Sequence, residues 1–183
     1  MNGVEVGRPL ESEYDSYYLP LVQLVPEQPI RQALEEQRHE IMGFLGSLDH
    51  AMADFRYGPE KWSVKEVLGH VIDTERIFGA RALCFARGEK RPLPPFEQDD
   101  YVRSAGFDVR SLASLSAEFE AVRRSTETLF AGFDEEQWDR GGVANEVHMT
   151  VRAVAYIIVG HAAHHMAIIR ERYLGAADAP DAV

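Results

Sequence analysis

Trp62-Ser63-Val64-Lys65-Glu66-Val67-Leu68-Gly69-His70-Val71-Ile72-Asp73 is the stretch whose reading decides the fold. Ser63 and Glu66, three residues apart, make a capping-box pattern, and Trp62 and Val67 take the two positions of a hydrophobic staple. Together they predict a helix starting at Ser63 and running through Val67, His70, Val71, Ile77 and Phe78 to about Ala86, with Gly88 beyond its end. At 100° per residue, positions 63, 66, 67, 73, 74, 77 and 81 fall within about 60° of His70. That sector holds Val67 and Ile77, so His70 is expected to face a core.

Upstream, Tyr57-Gly58-Pro59 separates this helix from an earlier one. The earlier one opens at Pro29, a residue suited to the first helical position, and repeats apolar side chains at Ile30, Leu34, Ile41, Leu45, Leu48 and Met52. Residues 1–28, interrupted by Pro9, Pro20 and Pro26, are expected to form an N-terminal arm with one short helical turn around Tyr14 to Tyr18. Downstream, residues 88–110 carry Pro92, Pro94 and Pro95 and then Phe96-Glu97-Gln98-Asp99-Asp100-Tyr101. So long a connection without periodicity is either a functional loop or a crossing between bundle ends. A third helix begins within Ser111 to Ser116, with a stripe of Leu112, Leu115, Phe119, Val122 and Leu129, and closes near Gly132. After a second irregular stretch, 133–149, Thr150 caps a fourth helix that runs to about Tyr173 and is apolar around most of its circumference, hence central. No strand-like alternation stands out. The expectation is an all-α four-helix bundle over residues 29–175 with a long connection between its second and third helices, followed by a flexible tail at 176–183.

The bulk numbers agree with one domain. The chain has 183 residues and 45% apolar content, enough for one substantial core. A formal charge of -11 offers phosphate backbones no attraction, so nucleic acid is not an expected partner. Cys84 is the only cysteine, which excludes intramolecular disulfides and thiolate metal clusters. It stands about 21 Å along the helix from His70, and a buried structural thiol is its expected role. The first ten residues have neither a basic nor an apolar signal region, and the most apolar stretch, Val151 to Ile169, is broken by Arg152 and three histidines. The expectation is a cytoplasmic chain that does not span a membrane and acts on a small molecule.

Seven histidines are present, and helix phase separates them. His161 and His165 are one turn apart, so both imidazoles project from one face at a spacing that a metal ion bridges. Their sector also holds Val154, Ile157, Ile158 and Ile168. A third ligand has to come from another element, and His70 qualifies. Three imidazoles facing one core are costly unless something satisfies them. The alternatives are hydrogen-bonded core histidines and a chance surface pair. His164, about 60° from His161 and 100° from His165, belongs at the flank, as a support to the ligands or a contact between helices. His39, His50 and His148 have no such partners and are expected at the surface or at element ends.

Two motifs, Trp62-Ser63-x-x-Glu66-x-x-x-His70-x-x-Asp73 and Gly160-His161-Ala162-Ala163-His164-His165, together resemble the DinB/YfiT-like family of metalloenzymes, over roughly residues 29–173. The resemblance implies a four-helix bundle whose metal ligands fall on His70, His161 and His165, the trio that helix phase selects. It also implies zinc or nickel as the ion, water in its open positions and, in common with other members, a homodimer. Some members are thiol S-transferases using bacillithiol or a related low-molecular-weight thiol.

Three neutral imidazoles leave an ion its charge and at least one open position, as in catalytic rather than structural sites. Two reaction classes follow: transfer of a thiol cosubstrate to a small electrophile, which is preferred, and hydrolysis of an ester or amide. The residue after His161 is alanine, so the His-Glu-x-x-His base is missing. Asp73 is the candidate base near His70; Glu66 is already engaged by the capping box. Asp99, Asp100 and Tyr101 line the entrance if the 88–110 connection folds over the metal end. A third reading is a non-catalytic bundle that binds metal or another ligand.

Overall fold

The computed structural model describes residues 6–175, so the expected tail at 176–183 and the first five residues of the arm lie outside the described residues. The helices are α1 (Leu19–Gln23), α2 (Ile30–Ser47), α3 (His50–Asp54), α4 (Val64–Ala86), α5 (Gln98–Ala105), α6 (Leu112–Ala131), α7 (Glu135–Asp139) and α8 (Val151–Ile168). A short antiparallel hairpin, β1 (Gly141–Ala144) and β2 (Val147–Thr150), precedes α8, and a π-helical turn, Ile169–Leu174, continues it. Four long helices, α2, α4, α6 and α8, make the bundle. α4 packs on α6 and α8, and α2 packs on the same two, so α2 and α4 sit diagonally and the chain between them crosses the bundle.

Local chemistry explains the boundaries. The Ser63 side chain accepts from the Glu66 backbone N–H at 3.2 Å while the Glu66 carboxylate accepts from the Ser63 N–H at 2.7 Å, closing the expected capping box. Ser111 and Thr150 cap α6 and α8 with their hydroxyls, which accept from the Ser114 and Ala153 N–H without a reciprocal side-chain bond. The first helix is shorter than its apolar spacing predicts: Leu48 turns extended, and Asp49 accepts from Met52 N–H to start α3 afresh. An aspartate offering the backbone a cap competes with helix continuation, and here it wins.

Three segments expected to be irregular carry structure. Within 88–110, α5 forms with Val102 as its one buried residue, too little of a stripe to show as periodicity. Within 133–149, the hairpin turns at Asn145 and Glu146, both at positive φ (52° and 64°), the conformation of a two-residue type I′ turn. The arm is part of the core: Val6, Tyr14, Tyr18, Val22 and Val25 are buried with residues of α8. Its close approach is possible because position 160 lacks a side chain. A Cβ on Gly160 would sit 2.0 Å from the Leu21 carbonyl oxygen.

One buried network ties the four long helices together. Arg123 of α6, fully buried, forms a bidentate pair with Glu75 of α4 (2.8 and 2.9 Å) and donates to the Gln37 side chain of α2 at 2.8 Å. Gln37 in turn donates to the Val159 carbonyl of α8 at 2.8 Å. Cys84 is half-buried rather than fully enclosed, packed at the edge of the core. No helix among the described residues is long and apolar enough to cross a membrane.

Candidate metal centre

Diagonal placement leaves α4 and α8 in contact, and that contact brings His70 to His161 and His165. His70 Nε2 lies 3.0 Å from His161 Nε2, which lies 3.1 Å from His165 Nε2. The three potential ligand atoms are all within 4.8 Å of one another. Hydrogen bonding alone does not satisfy this cluster. A neutral ring nitrogen offers either one N–H or one lone pair, so His161 Nε2 can pair fully with only one of the two nitrogens that face it. A cation accepting all three lone pairs removes the conflict, and the separations suit ligand bonds of about 2.0–2.1 Å.

Electrostatics point the same way. Burial pushes His70 down to about 4, against a small opposing pull from Asp99. Burial, then the charges of His70 and His164, takes His165 down to about 3. His161 is driven well below the ordinary histidine range, again chiefly by burial and then by its histidine neighbours. All three are therefore neutral at neutral pH, with lone pairs available for a metal. Thr74 Oγ1 stands 3.5 Å from His70 Nδ1, on the side that orients the ring, and Trp62 covers the ring with centroids 5.0 Å apart.

His164, His39 and His148 stay out. His164 is exposed, with its ring beside that of His165 but not in the cluster, and His39 and His148 are also exposed. Asp73 points to a different neighbourhood. It sits 3.7 Å from Arg76 and near Glu118 and Arg110, where burial raises its pKa, and among the described residues it lines neither cavity beside the triad. Glu66 is spoken for by Ser63 and by Arg56 at 2.5 Å.

Two cavities flank the histidines. One, about 250 Å³, reaches His70 and His161 and is walled by Tyr18 and Leu21 of the arm, Thr74 and Phe78 of α4, Phe96, Glu97 and Gln98 of the connection, Asn145 of the hairpin and Ile157 of α8. The other, about 340 Å³, reaches His165 and is bounded by Tyr57, Lys61, Trp62, Asp99 and Tyr173 among others. Tyr173 donates to the Trp62 carbonyl at 2.7 Å, and burial pushes its phenol up to about 12. The 88–110 connection thus does fold over the histidines. Asp99 lines a cavity, whereas Asp100 pairs with Arg103 at 2.6 Å and Tyr101 packs on Phe96. Leu93 holds this loop to the hairpin, donating to Val143 O at 2.9 Å and accepting from Asn145 N–H at 3.2 Å. Sequence reasoning missed Tyr18, Phe96, Glu97 and Asn145. Phe78, two helical turns beyond His70, stands about 80° from it in phase, outside the sector that helix phase assigns to His70.

YfiT from Bacillus subtilis, described as a probable metal-dependent hydrolase with an unusual four-helix bundle topology, is similar in fold, with a TM-score of 0.71 at 19% identity over 91% of this chain and 93% of that one. No curated protein sequence matches the chain. The DinB superfamily profile matches residues 33–169, which takes in α4, α8 and all three clustered histidines. With a match across most of its length, the chain belongs to the DinB superfamily.

Proposed function

We propose that this protein is a divalent-metal-dependent enzyme, with zinc or nickel held by His70, His161 and His165, that transfers a low-molecular-weight thiol to a small electrophile. The observation that carries the reading is the pair of separate cavities meeting at one cluster of neutral imidazoles. Two ligands presented to one centre from two sides is what a transfer between two small molecules requires. When bound, such an ion lowers the pKa of a coordinated thiol or water and polarises an oxygen. The protein's own residues do the rest. Trp62 and Thr74 hold the His70 ring, and Tyr57, Lys61 and Tyr173 bound the space for one ligand. Tyr18, Phe78 and Phe96 bound the space for the other.

One observation favours a second reading. Glu97 lines the same cavity as His70 and His161, and a carboxylate there is a candidate base for hydrolysis of an ester or amide. The metal is tested by elemental analysis of protein purified without a histidine tag. About one equivalent is expected, lost on replacing His70, His161 or His165 and kept on replacing His164; less than about a tenth of an equivalent after reconstitution overturns the reading. The reaction is tested by giving the zinc-loaded protein 1-chloro-2,4-dinitrobenzene with each of several thiols. The expected reaction forms a carbon–sulfur bond as the carbon–chlorine bond breaks, chloride leaving with the bonding pair and the thiol proton passing to solvent. Turnover of a 4-nitrophenyl ester without thiol, lost in Glu97→Gln, would instead establish the hydrolase.

A further inference from the structure

The cavity on the His70 and His161 side differs from its neighbour in drawing its walls from the arm, the 96–98 segment and the hairpin turn. Four aromatic rings, Tyr17, Tyr18, Phe78 and Phe96, and two aliphatic side chains, Leu21 and Ile157, stand in its walls, with the Glu97 carboxylate and the amides of Gln98 and Asn145 among the lining groups. The rings are held in place. Tyr18 meets Phe78 edge to face at 6.0 Å, and the buried Arg81 guanidinium lies 4.8 Å from the Phe78 centroid and 5.9 Å from that of Phe96. Arg81 also donates to the Pro94 carbonyl at 3.1 Å, which anchors the loop that carries Phe96. The arm is fixed as firmly, since its backbone at Leu21 occupies the space over Gly160, the residue before His161. The hairpin turn that presents Asn145 is fixed as a two-residue type I′ turn, both of its central residues at positive φ. These features describe a preformed pocket whose aromatic and aliphatic walls alternate with polar groups, Glu97, Gln98 and Asn145 among them, a construction suited to a small molecule with an apolar body and a polar end.

Its size limits the occupant. At about 30 Å³ per water, a cavity of about 250 Å³ has room for roughly eight waters, which is the bulk of one six-membered ring bearing a short substituent. Aromatic walls favour an aromatic guest over a saturated one of the same size, because edge-to-face and offset contacts add to plain burial.

We propose that this cavity binds the electrophilic substrate and selects a single-ring aromatic molecule with a short hydrogen-bonding substituent, the N-terminal arm being the wall that sets the selection. The proposal rests on reading the triad as the reaction centre, and the test keeps the two apart. The probe is 4-fluorobenzyl alcohol, observed by fluorine NMR with the full-length zinc-loaded chain and with the same chain after chelation, and displaced by benzyl alcohol or by cyclohexylmethanol. Binding is expected in both forms, with benzyl alcohol competing about tenfold better than its saturated counterpart. Leu21→Trp fills the cavity from the arm and should abolish binding while zinc content stays at its wild-type level. Phe96→Leu keeps apolar volume but removes one ring, and should shrink the aromatic preference severalfold without abolishing binding. Equal competition by the saturated alcohol, or probe binding unchanged in both variants, overturns the proposal. Probe binding with the expected preference in a chain that takes up no zinc leaves the pocket standing and removes the metal reading alone.

Discussion

Replacing Gly160 with alanine sets two physical effects of opposite sign against each other. Within a helix, alanine is better than glycine by about 0.5–1 kcal/mol, because glycine loses more backbone freedom on folding. At position 160 the added Cβ would stand 2.0 Å from the Leu21 oxygen and 2.5 Å from its carbonyl carbon. Ordinary van der Waals contact begins at 3.4 Å, so α1 has to retreat by about 1.4 Å. The obstruction is backbone, not the tip of a flexible side chain, and α1 is anchored by Val22 and Val25, each 2% exposed. Overpacking of this kind costs about 1–3 kcal/mol. With the propensity gain subtracted, Gly160→Ala should destabilise by about 2 kcal/mol at the upper end of that range, or about 4–8 °C in Tm for a domain of this size. Gly79→Ala is the control: nothing lies within 4 Å of its Cβ position in α4, so it should stabilise by about 0.5–1 kcal/mol. Urea denaturation followed by circular dichroism, with zinc content fixed, measures both. If the two alanines shift stability in the same favourable direction, the arm is not seated on α8 as described and the cavity wall it supplies is absent in solution.

The chelated chain should lose stability as pH falls below about 6.5, because the unfolded histidines take up protons that the folded ones refuse, making the slope of unfolding free energy against pH positive. With His70 held at about 4, its share is about 3 kcal/mol by pH 4 and nil well above 6.5; between those pH values wild type should lose about this much more unfolding free energy than His70→Asn, as read by denaturation. Glu75→Gln strands the buried Arg123 charge and should cost about 3–5 kcal/mol, whereas the double change Glu75→Met with Arg123→Met should recover most of it, as read by the same denaturation.

What was legible in the sequence is what periodicity and caps encode. The capping box at Ser63 and Glu66, the serine and threonine caps of α6 and α8, and the four apolar stripes place the long helices, except that the stripe of α2 runs on past its end at Ser47, where Asp49 starts α3. Helix phase also brings His70, His161 and His165 to one face each, and the α4 to α8 contact does the rest. Asp73 shows the limit of phase alone. Its angular distance from His70 is modest, but α6 supplies Glu118 on that side, and the carboxylate belongs to the ion pairs there with Arg76 and Arg110 nearby. α5 and the hairpin escaped notice because neither has a stripe: one buries a single residue, and the other is only four residues per strand.

The same division separates the two halves of the site. His161 and His165 stand one turn apart on a single helix, so their mutual position follows from sequence spacing, and the packing of α4 on α8 brings His70 to them. The substrate-facing walls come from the arm, the 94–98 segment and the hairpin turn, which are held by tertiary contacts that no local pattern announces: Leu21 over Gly160, Arg81 to Pro94, Leu93 to Val143 and Asn145. Each of these contacts is made away from the triad's own nitrogens. The walls can therefore be altered at Leu21 or Phe96 while α4 and α8 keep the three imidazoles together, which is why zinc content and aromatic binding are expected to respond to different substitutions.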